Sequence, residues 1–151
     1  MFAPLSPGLP DPDAAPGFYD GVPIKRLLAW IVDGMIVLAL TLVAVLLTAF
    51  VALFVLPLVW LAIGFVYRTA TLAAHSATPG MRLVGIELRD RWGRPFDFAH
   101  AILHTLGYTL SISSLLLQAV SIALMLTGAR GQGLTDLVLG TAAINRPARD
   151  A

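Results

Sequence analysis

Asp33 is the residue of this chain best suited to chemistry, because it is a carboxylate inside a long apolar segment. Residues 27–32 are apolar, and residues 34–67 contain no Asp, Glu, Lys or Arg. A charged side chain in hydrocarbon costs about 2.5–3.5 kcal/mol on insertion scales, so it normally faces the interior of a helical bundle and has a partner. Asp33 is therefore either a site for a proton or cation or one half of a structural ion pair. Burial alone does not decide between these roles.

Arg68 is the predicted partner of Asp33. Arg26 marks the start of the first apolar helix, seven residues before Asp33, and Arg68 stands seven residues before His75, where the second helix returns to the same interface. A rise of 1.5 Å per residue puts both side chains about 10 Å deep, and opposite charges at one depth are expected to pair. The alternatives are an Asp33–Arg26 pair and an Arg68 side chain that extends to the headgroups.

A series of polar residues between 98 and 129 follows the spacing of one helix face. Together with Gly107 these residues recur in alternating steps of four and three, which favours one continuous span over a re-entrant hairpin. They are His100, His104, Ser111, Ser114, Gln118 and Ser121. Such a face either lets helices pack closely or lines a water-filled path. Three helices rarely enclose a path, so we expect packing, and a path would require several copies.

Other chemistry has little support in the sequence. His100 and His104 stand four apart, but Ala101 follows His100, so the metalloprotease pattern is absent and no metal site is predicted. The chain has no cysteine, and no nucleophile elbow or phosphate-binding loop is visible. Asp136 is expected to cap a helix or to pair with a basic residue. No catalytic residue and no cofactor are predicted, and we do not expect an enzyme.

Composition and hydropathy predict a membrane protein. Hydrophobic residues make up 58% of the chain and charged residues 13%, against roughly 45–50% and about 25% in soluble domains. Apolar stretches are long enough for helices over about 24–50, 55–75 and 98–127. The predicted fold is an all-α integral membrane protein, a small bundle of about three transmembrane helices with a short cytoplasmic strand-like segment. The net charge of +1 and the lack of a Lys/Arg run argue against nucleic-acid binding.

Polar segments flank the predicted helices. Residues 1–16 are rich in proline and are predicted to be a disordered tail. Residues 17–147 form a single membrane domain, and residues 148–151 a polar C-terminal tail. Within residues 82–97 an apolar residue alternates with a polar residue or glycine, which predicts a short strand, and residues 140–145 are a weaker candidate for a second one.

Basic residues predict the orientation. They cluster before the first helix and after the second, whereas the intervening turn has no charge: Lys25, Arg26, Arg82, Arg89, Arg91 and Arg94. The positive-inside rule therefore predicts a cytoplasmic N-terminus and a cytoplasmic segment 76–97, in a bacterial cytoplasmic membrane. The side of the C-terminus stays open, because it depends on whether residues 98–129 form one span or a hairpin.

Three charged residues and one short motif resemble a known family. Arg26, Asp33 and Asp136 match, in order and spacing, the three residues that name the RDD family. The segment TPGMRLVGI, residues 78–86, is similar to the family's Thr-Pro-Gly-Lys-Arg-Leu-Leu-Gly-Leu pattern. The resemblance covers about residues 17–147. It implies an integral membrane protein, for which transport of an unknown ligand is the standing suggestion.

This sequence departs from the family pattern at two positions: Met81 stands where lysine is usual, and His104 lies near a position that is often arginine. Two functions are compatible with the pattern. The first is transport or ion coupling with Asp33 as the titrating group. The second is a structural or assembly protein whose buried charges fix helix packing and whose segment 76–97 docks a partner. The expected partners are the lipid bilayer and either a second copy of the chain or another membrane protein.

Overall fold

The computed structural model describes residues 7–147, so the predicted C-terminal tail and residues 1–6 of the predicted N-terminal tail lie outside the described part. The chain is mostly helical with one small sheet, which confirms the predicted fold class. The helices are α1 Val22–Leu47, α2 Leu56–His75, α3 Pro79–Leu83, α4 Phe98–Ile112, α5 Leu115–Thr127 and α6 Leu134–Leu139. The strands are β1 Ile86–Arg89 and β2 Ala142–Asn145.

Helices α1 and α2 are long and apolar enough to cross a membrane. Each has a proline in its first turn, where the missing N–H leaves no hydrogen bond unmade. Large apolar side chains cover their outward faces, and Phe54 in the connecting turn is 90% exposed. In water this surface would be strongly unfavourable, whereas lipid solvates it. The helices therefore embed the protein in a membrane.

The predicted continuous helix over about 98–127 is broken in the structure. Helices α4 and α5 meet at an angle of 114°, and each is shorter than the roughly 20 residues that a span requires. The hydroxyl of Ser113 donates to the Thr109 carbonyl, and that of Ser114 accepts from the Leu117 N–H to cap α5. Serine side chains compete in this way with the helical backbone hydrogen bonds, which explains the break.

Strand pairing shows where the bent pair ends. Strands β1 and β2 are antiparallel, with Arg89 opposite Ala142. Because β1 precedes α4 and β2 follows α5, the chain leaves and rejoins the same region, as in a re-entrant hairpin. The Lys25 side chain at the start of α1 donates to Asn145 Oδ1 at 2.7 Å. The start of α1, the sheet and residues 142–145 thus lie together at one end of the helices.

Residues 7–16, part of the predicted disordered tail, contact the sheet and the segment that follows β1. The Gly8 N–H donates to the Arg91 carbonyl at 2.9 Å, and the Tyr19 hydroxyl donates to the Pro10 carbonyl at 2.8 Å. Leu9 is buried against Tyr19 and β2. This contact has no apolar periodicity in the sequence because a single leucine, Leu9, makes it.

Candidate functional site

Asp136 lies at the centre of a buried cluster that joins α1, α4 and α6. Its Oδ2 accepts from Arg26 Nη1 at 2.6 Å and from the Gly133 N–H at 3.0 Å. Its Oδ1 contacts His104 Nε2 at 2.9 Å and accepts from the Thr141 hydroxyl at 3.0 Å. The carboxylate is fully buried. Four donors thus satisfy Asp136, and three helices are held at one point.

The electrostatics keep Asp136 ionised. Desolvation by burial raises the pKa of its carboxyl group, but the Arg26 charge and the hydrogen bonds from His104 and Gly133 outweigh desolvation, so the pKa is well below its usual range. An ionised carboxylate only accepts, so the His104 proton is on Nε2. His104 Nδ1 is then an acceptor, and it is buried without a hydrogen-bond partner among the described residues.

Asp33 binds three neutral donors from α2 and from the start of α3. The Tyr67 hydroxyl donates to its Oδ1 at 2.7 Å, the Gly80 N–H to the same oxygen at 2.8 Å, and the Thr78 hydroxyl to Oδ2 at 2.5 Å. Thr78 is also the N-cap of α3 and accepts from the Met81 N–H at 3.3 Å. Asp33 therefore fastens α3 to α1.

Gly80 explains part of the TPG motif. A Cβ atom at this position would overlap the carbonyl oxygen of Ala29 and stand 2.8 Å from Asp33 Oδ1. Only glycine lets the α3 backbone approach α1 this closely. Pro79 occupies the first turn of α3, where it fits without loss of a hydrogen bond. The sequence thus shapes this turn to reach the Asp33 carboxylate.

The predicted Asp33–Arg68 ion pair is wrong. Among residues 7–147 no ion pair joins the two side chains. The Arg68 guanidinium instead lies over the Tyr108 ring, 4.1 Å from its centroid. The Asp33–Arg26 alternative also fails, because Arg26 pairs with Asp136. Arg68 is only 9% exposed, so it does not extend to the headgroups either.

The polar residues predicted on one face of residues 98–129 serve several local roles. His100 Nδ1 contacts the aspartate that caps α4, at 2.8 Å. The Ser111 hydroxyl donates to Gln118 Oε1 at 3.0 Å, across the bend that Ser114 caps. The Ser121 hydroxyl accepts from the first N–H of α6 at 3.0 Å. The bend divides this polar face into two parts, and the hydrogen bonds of Ser111 and Ser114 stabilise the bend.

A cavity of about 450 Å³ lies between α1, α4, α5 and α6. Five Asp, Arg and His side chains are part of its wall, namely Arg26, Asp33, Arg68, His104 and Asp136. The rest of the wall is mostly apolar. Arg26, Asp33 and Asp136, the three residues that match the family signature, therefore line one cavity together with Arg68 and His104.

A second cavity, of about 130 Å³, adjoins the first. Trp30, Asp33, Arg68 and Tyr108 line both. Trp30 Nε1 donates to the Tyr108 hydroxyl at 2.9 Å, which fixes the ring under the Arg68 guanidinium. In the described part of the chain no group of three or more His, Cys, Asp or Glu side chains could hold a metal ion.

Sequence reasoning missed the neutral partners. Tyr67 is next to Arg68 in sequence and was not predicted to be a donor, and Thr78 was noted only as part of the TPG motif. A signal existed for Thr78, because Thr-Pro is a typical N-cap and first helical residue. Tyr108 had no comparable signal.

One comparison with known proteins succeeds. The model of the RDD family matches residues 21–140, which include all three signature residues. No curated protein and no solved structure matches the chain.

Proposed function

This chain belongs to the RDD family, and we propose that it acts in transport, with its ligand in the larger cavity. The observation that carries the proposal is that five Asp, Arg and His side chains of an otherwise apolar bundle line one cavity. Charged residues within membrane segments mark ion and substrate pathways. The volume of about 450 Å³ is in the usual range of small-ligand sites.

Asp33 supplies a means of ion coupling. As a carboxylate it accepts from three donors, two of them at the start of α3. A proton on Oδ1 would take a lone pair that now accepts from the Tyr67 hydroxyl or the Gly80 N–H, and a proton on Oδ2 would reverse the direction of the hydrogen bond with the Thr78 hydroxyl. A cation at the carboxylate would compete with the same donors. Occupancy of Asp33 is thereby coupled to the attachment of α3 to α1.

The orientation that we propose follows from the basic residues. The start of α1 and the sheet lie on one side, where Lys25, Arg82, Arg91 and Arg94 also lie. The positive-inside rule makes this side cytoplasmic, in a bacterial cytoplasmic membrane. A path across the membrane would require more helices than one chain contributes, so we propose that a second copy or another membrane protein completes it.

Flux measured in proteoliposomes tests the transport proposal. We expect the purified chain to dissipate a pH gradient when Na⁺ or K⁺ is added, and Asp33→Asn to abolish this flux while the variant still folds. Asp20→Asn is the matched control, because Asp20 is an exposed carboxylate outside the cavity. Equal fluxes in wild type and Asp33→Asn would contradict the role of Asp33.

The second candidate function is structural or assembly. It is favoured by the fact that the chain's own donors occupy all the hydrogen bonds described for Asp33 and Asp136. Segment 76–97 would then dock a partner through exposed side chains such as Trp92 and Arg94. Wild-type proteoliposomes without flux under any cation gradient would favour this role over transport.

A further inference from the structure

Arg68 differs from Arg26 in that part of its guanidinium group has no hydrogen-bond partner among the described residues. Arg26 closes an ion pair with Asp136 at 2.6 Å. The Nε of Arg68 is buried and has no hydrogen-bond partner among the described residues. The contact that holds the side chain is the face of Tyr108. Arg68 is thus a cation in the cavity wall whose hydrogen-bonding capacity is incompletely used.

The neighbouring carboxylates are already committed to other donors. Asp136 is satisfied by the Arg26 cluster, and Asp33 by three neutral donors. A buried charge without a partner is costly, and membrane proteins retain one where it serves function. No carboxylate of residues 7–147 forms an ion pair with Arg68, which leaves this charge available to an anionic ligand.

The remaining wall indicates the rest of this ligand. Leu27, Ile122, Met125 and Leu126 line the cavity and present hydrocarbon. An anion without a hydrocarbon part would leave this apolar surface uncovered, whereas an amphiphile would cover it. We propose that the cavity binds an anionic amphiphile, with a carboxylate or phosphate head at Arg68 and an apolar tail against α1 and α5.

Arginine suits this role because its planar guanidinium matches carboxylate and phosphate oxygens and stacks on aromatic rings. The ring beneath it is itself held by the Trp30 indole, which donates to Tyr108 at 2.9 Å. The head-group site is therefore fixed before the ligand arrives, which reduces the entropy lost on binding. The inference rests on the proposed function for the choice of cavity, and it names the class of ligand.

Calorimetric titration of the full chain in phosphatidylcholine nanodiscs tests the proposal. The probes are decanoate and decyl phosphate, compared with decyltrimethylammonium and decyl maltoside. We expect both anionic probes to bind, and Arg68→Gln to weaken them by about 10- to 100-fold, the effect of losing a charge-assisted hydrogen bond. Binding of decanoate alone would indicate a fatty-acid type of head, and binding of decyl phosphate alone a lipid phosphate. Either result supports the inference.

Two controls keep the result interpretable. Arg82→Gln makes the same change at an exposed arginine outside the cavity and should leave affinity unchanged. If Arg68→Gln does not fold, Ile122→Trp takes its place as the test. This change fills the apolar wall, leaves Arg68 in place and should weaken binding of the decyl probes. The proposal is overturned if the cationic or neutral probe binds as tightly as the anionic ones, if acetate and inorganic phosphate match them, or if Arg68→Gln binds like wild type. Because binding is read without flux, a failure of transport leaves this test unaffected.

Discussion

At the scale of residues, the two signature aspartates do different work. Asp136 is a fully buried half of an ion pair, and two of its four partners, Arg26 and His104, come from distant parts of the chain. Asp33 has only neutral partners. Removing one partner of a buried ion pair costs about 3–5 kcal/mol, because the other charge is left uncompensated. We therefore propose that Asp136 stabilises the fold and that Asp33 is the residue that couples ion binding to it.

The Asp136 cluster predicts how stability depends on pH. Despite desolvation, the Arg26 charge and hydrogen bonds lower the pKa of Asp136 below its value in the unfolded chain, which is about 3.9. Its contribution is therefore complete above about pH 4 and is lost as the pH falls further. Thermal unfolding in detergent should show a steeper decline between about pH 4 and pH 2 for wild type than for Asp136→Asn.

Asp90 provides an internal reference for this measurement. Burial raises the pKa of its carboxyl group. The hydrogen bonds from the backbone N–H groups of Arg94 and Trp92 and from the Arg94 side chain lower this pKa by more than burial raises it, so it is also below the usual value. Asp90 contributes equally in wild type and in Asp136→Asn, so the difference between the two curves isolates Asp136. Parallel curves would contradict the assigned role.

At the scale of elements, the short helix α3 depends on one close approach. Gly80→Ala would place a methyl group against the Ala29 carbonyl and the Asp33 carboxylate. Overpacking of this kind costs about 1–3 kcal/mol, and the Asp33 hydrogen bonds would lengthen. Gly34→Ala is the matched control, because Gly34 is also helical and has open space around its Cβ position. This control should be neutral or stabilising by up to about 1 kcal/mol. Equal melting temperatures for the two variants would refute the close approach.

The sequence predicted the two long helices, but for residues 98–129 it favoured one continuous span over the hairpin. The first was placed at about 24–50 and is Val22–Leu47, because bilayer thickness and charge-free length determine its bounds. The break at Ser113–Ser114 was missed because serines at steps of three and four preserve a polar stripe whether or not the helix continues.

The partner of Asp33 was missed for a related reason. Matching depths along two helices ignores the rotation of each helix about its axis. Rotation puts Tyr67 rather than its neighbour Arg68 against Asp33. That rotation is set by packing of α2 against α4, which no local pattern reports. Arg26 and Asp136 are far apart in sequence, and their pairing depends on how α4 and α5 pack and bring α6 next to α1. No local sequence pattern reports this packing either.

At the scale of the whole molecule, the sheet fixes the topology. Because β1 and β2 pair, we propose that residues before α4 and after α5 lie on the same side of the membrane. The basic residues near the C-terminus, including Arg130 and Arg146, then join those after α2. The hairpin thus agrees with the positive-inside rule, which a third complete span would violate.

Labelling of single cysteines checks this topology, since the chain has no cysteine of its own. Arg91→Cys and Pro147→Cys should resist a membrane-impermeant maleimide in intact cells and react in inverted vesicles. Phe54→Cys, in the turn between α1 and α2, should show the opposite pattern. Opposite behaviour of the Arg91 and Pro147 positions would contradict the re-entrant hairpin.

Double-mutant cycles on the four buried charges test the central claim most directly: Arg26 and Asp136 form a closed pair, while Asp33 and Arg68 are left at the cavity for ion and ligand. Unfolding free energies of Arg26→Gln, Asp136→Asn and their combination should show a coupling of about 1–3 kcal/mol, whereas Asp33→Asn and Arg68→Gln should be additive within about 0.5 kcal/mol. A coupling between Asp33 and Arg68 as large as that between Arg26 and Asp136 would contradict the account.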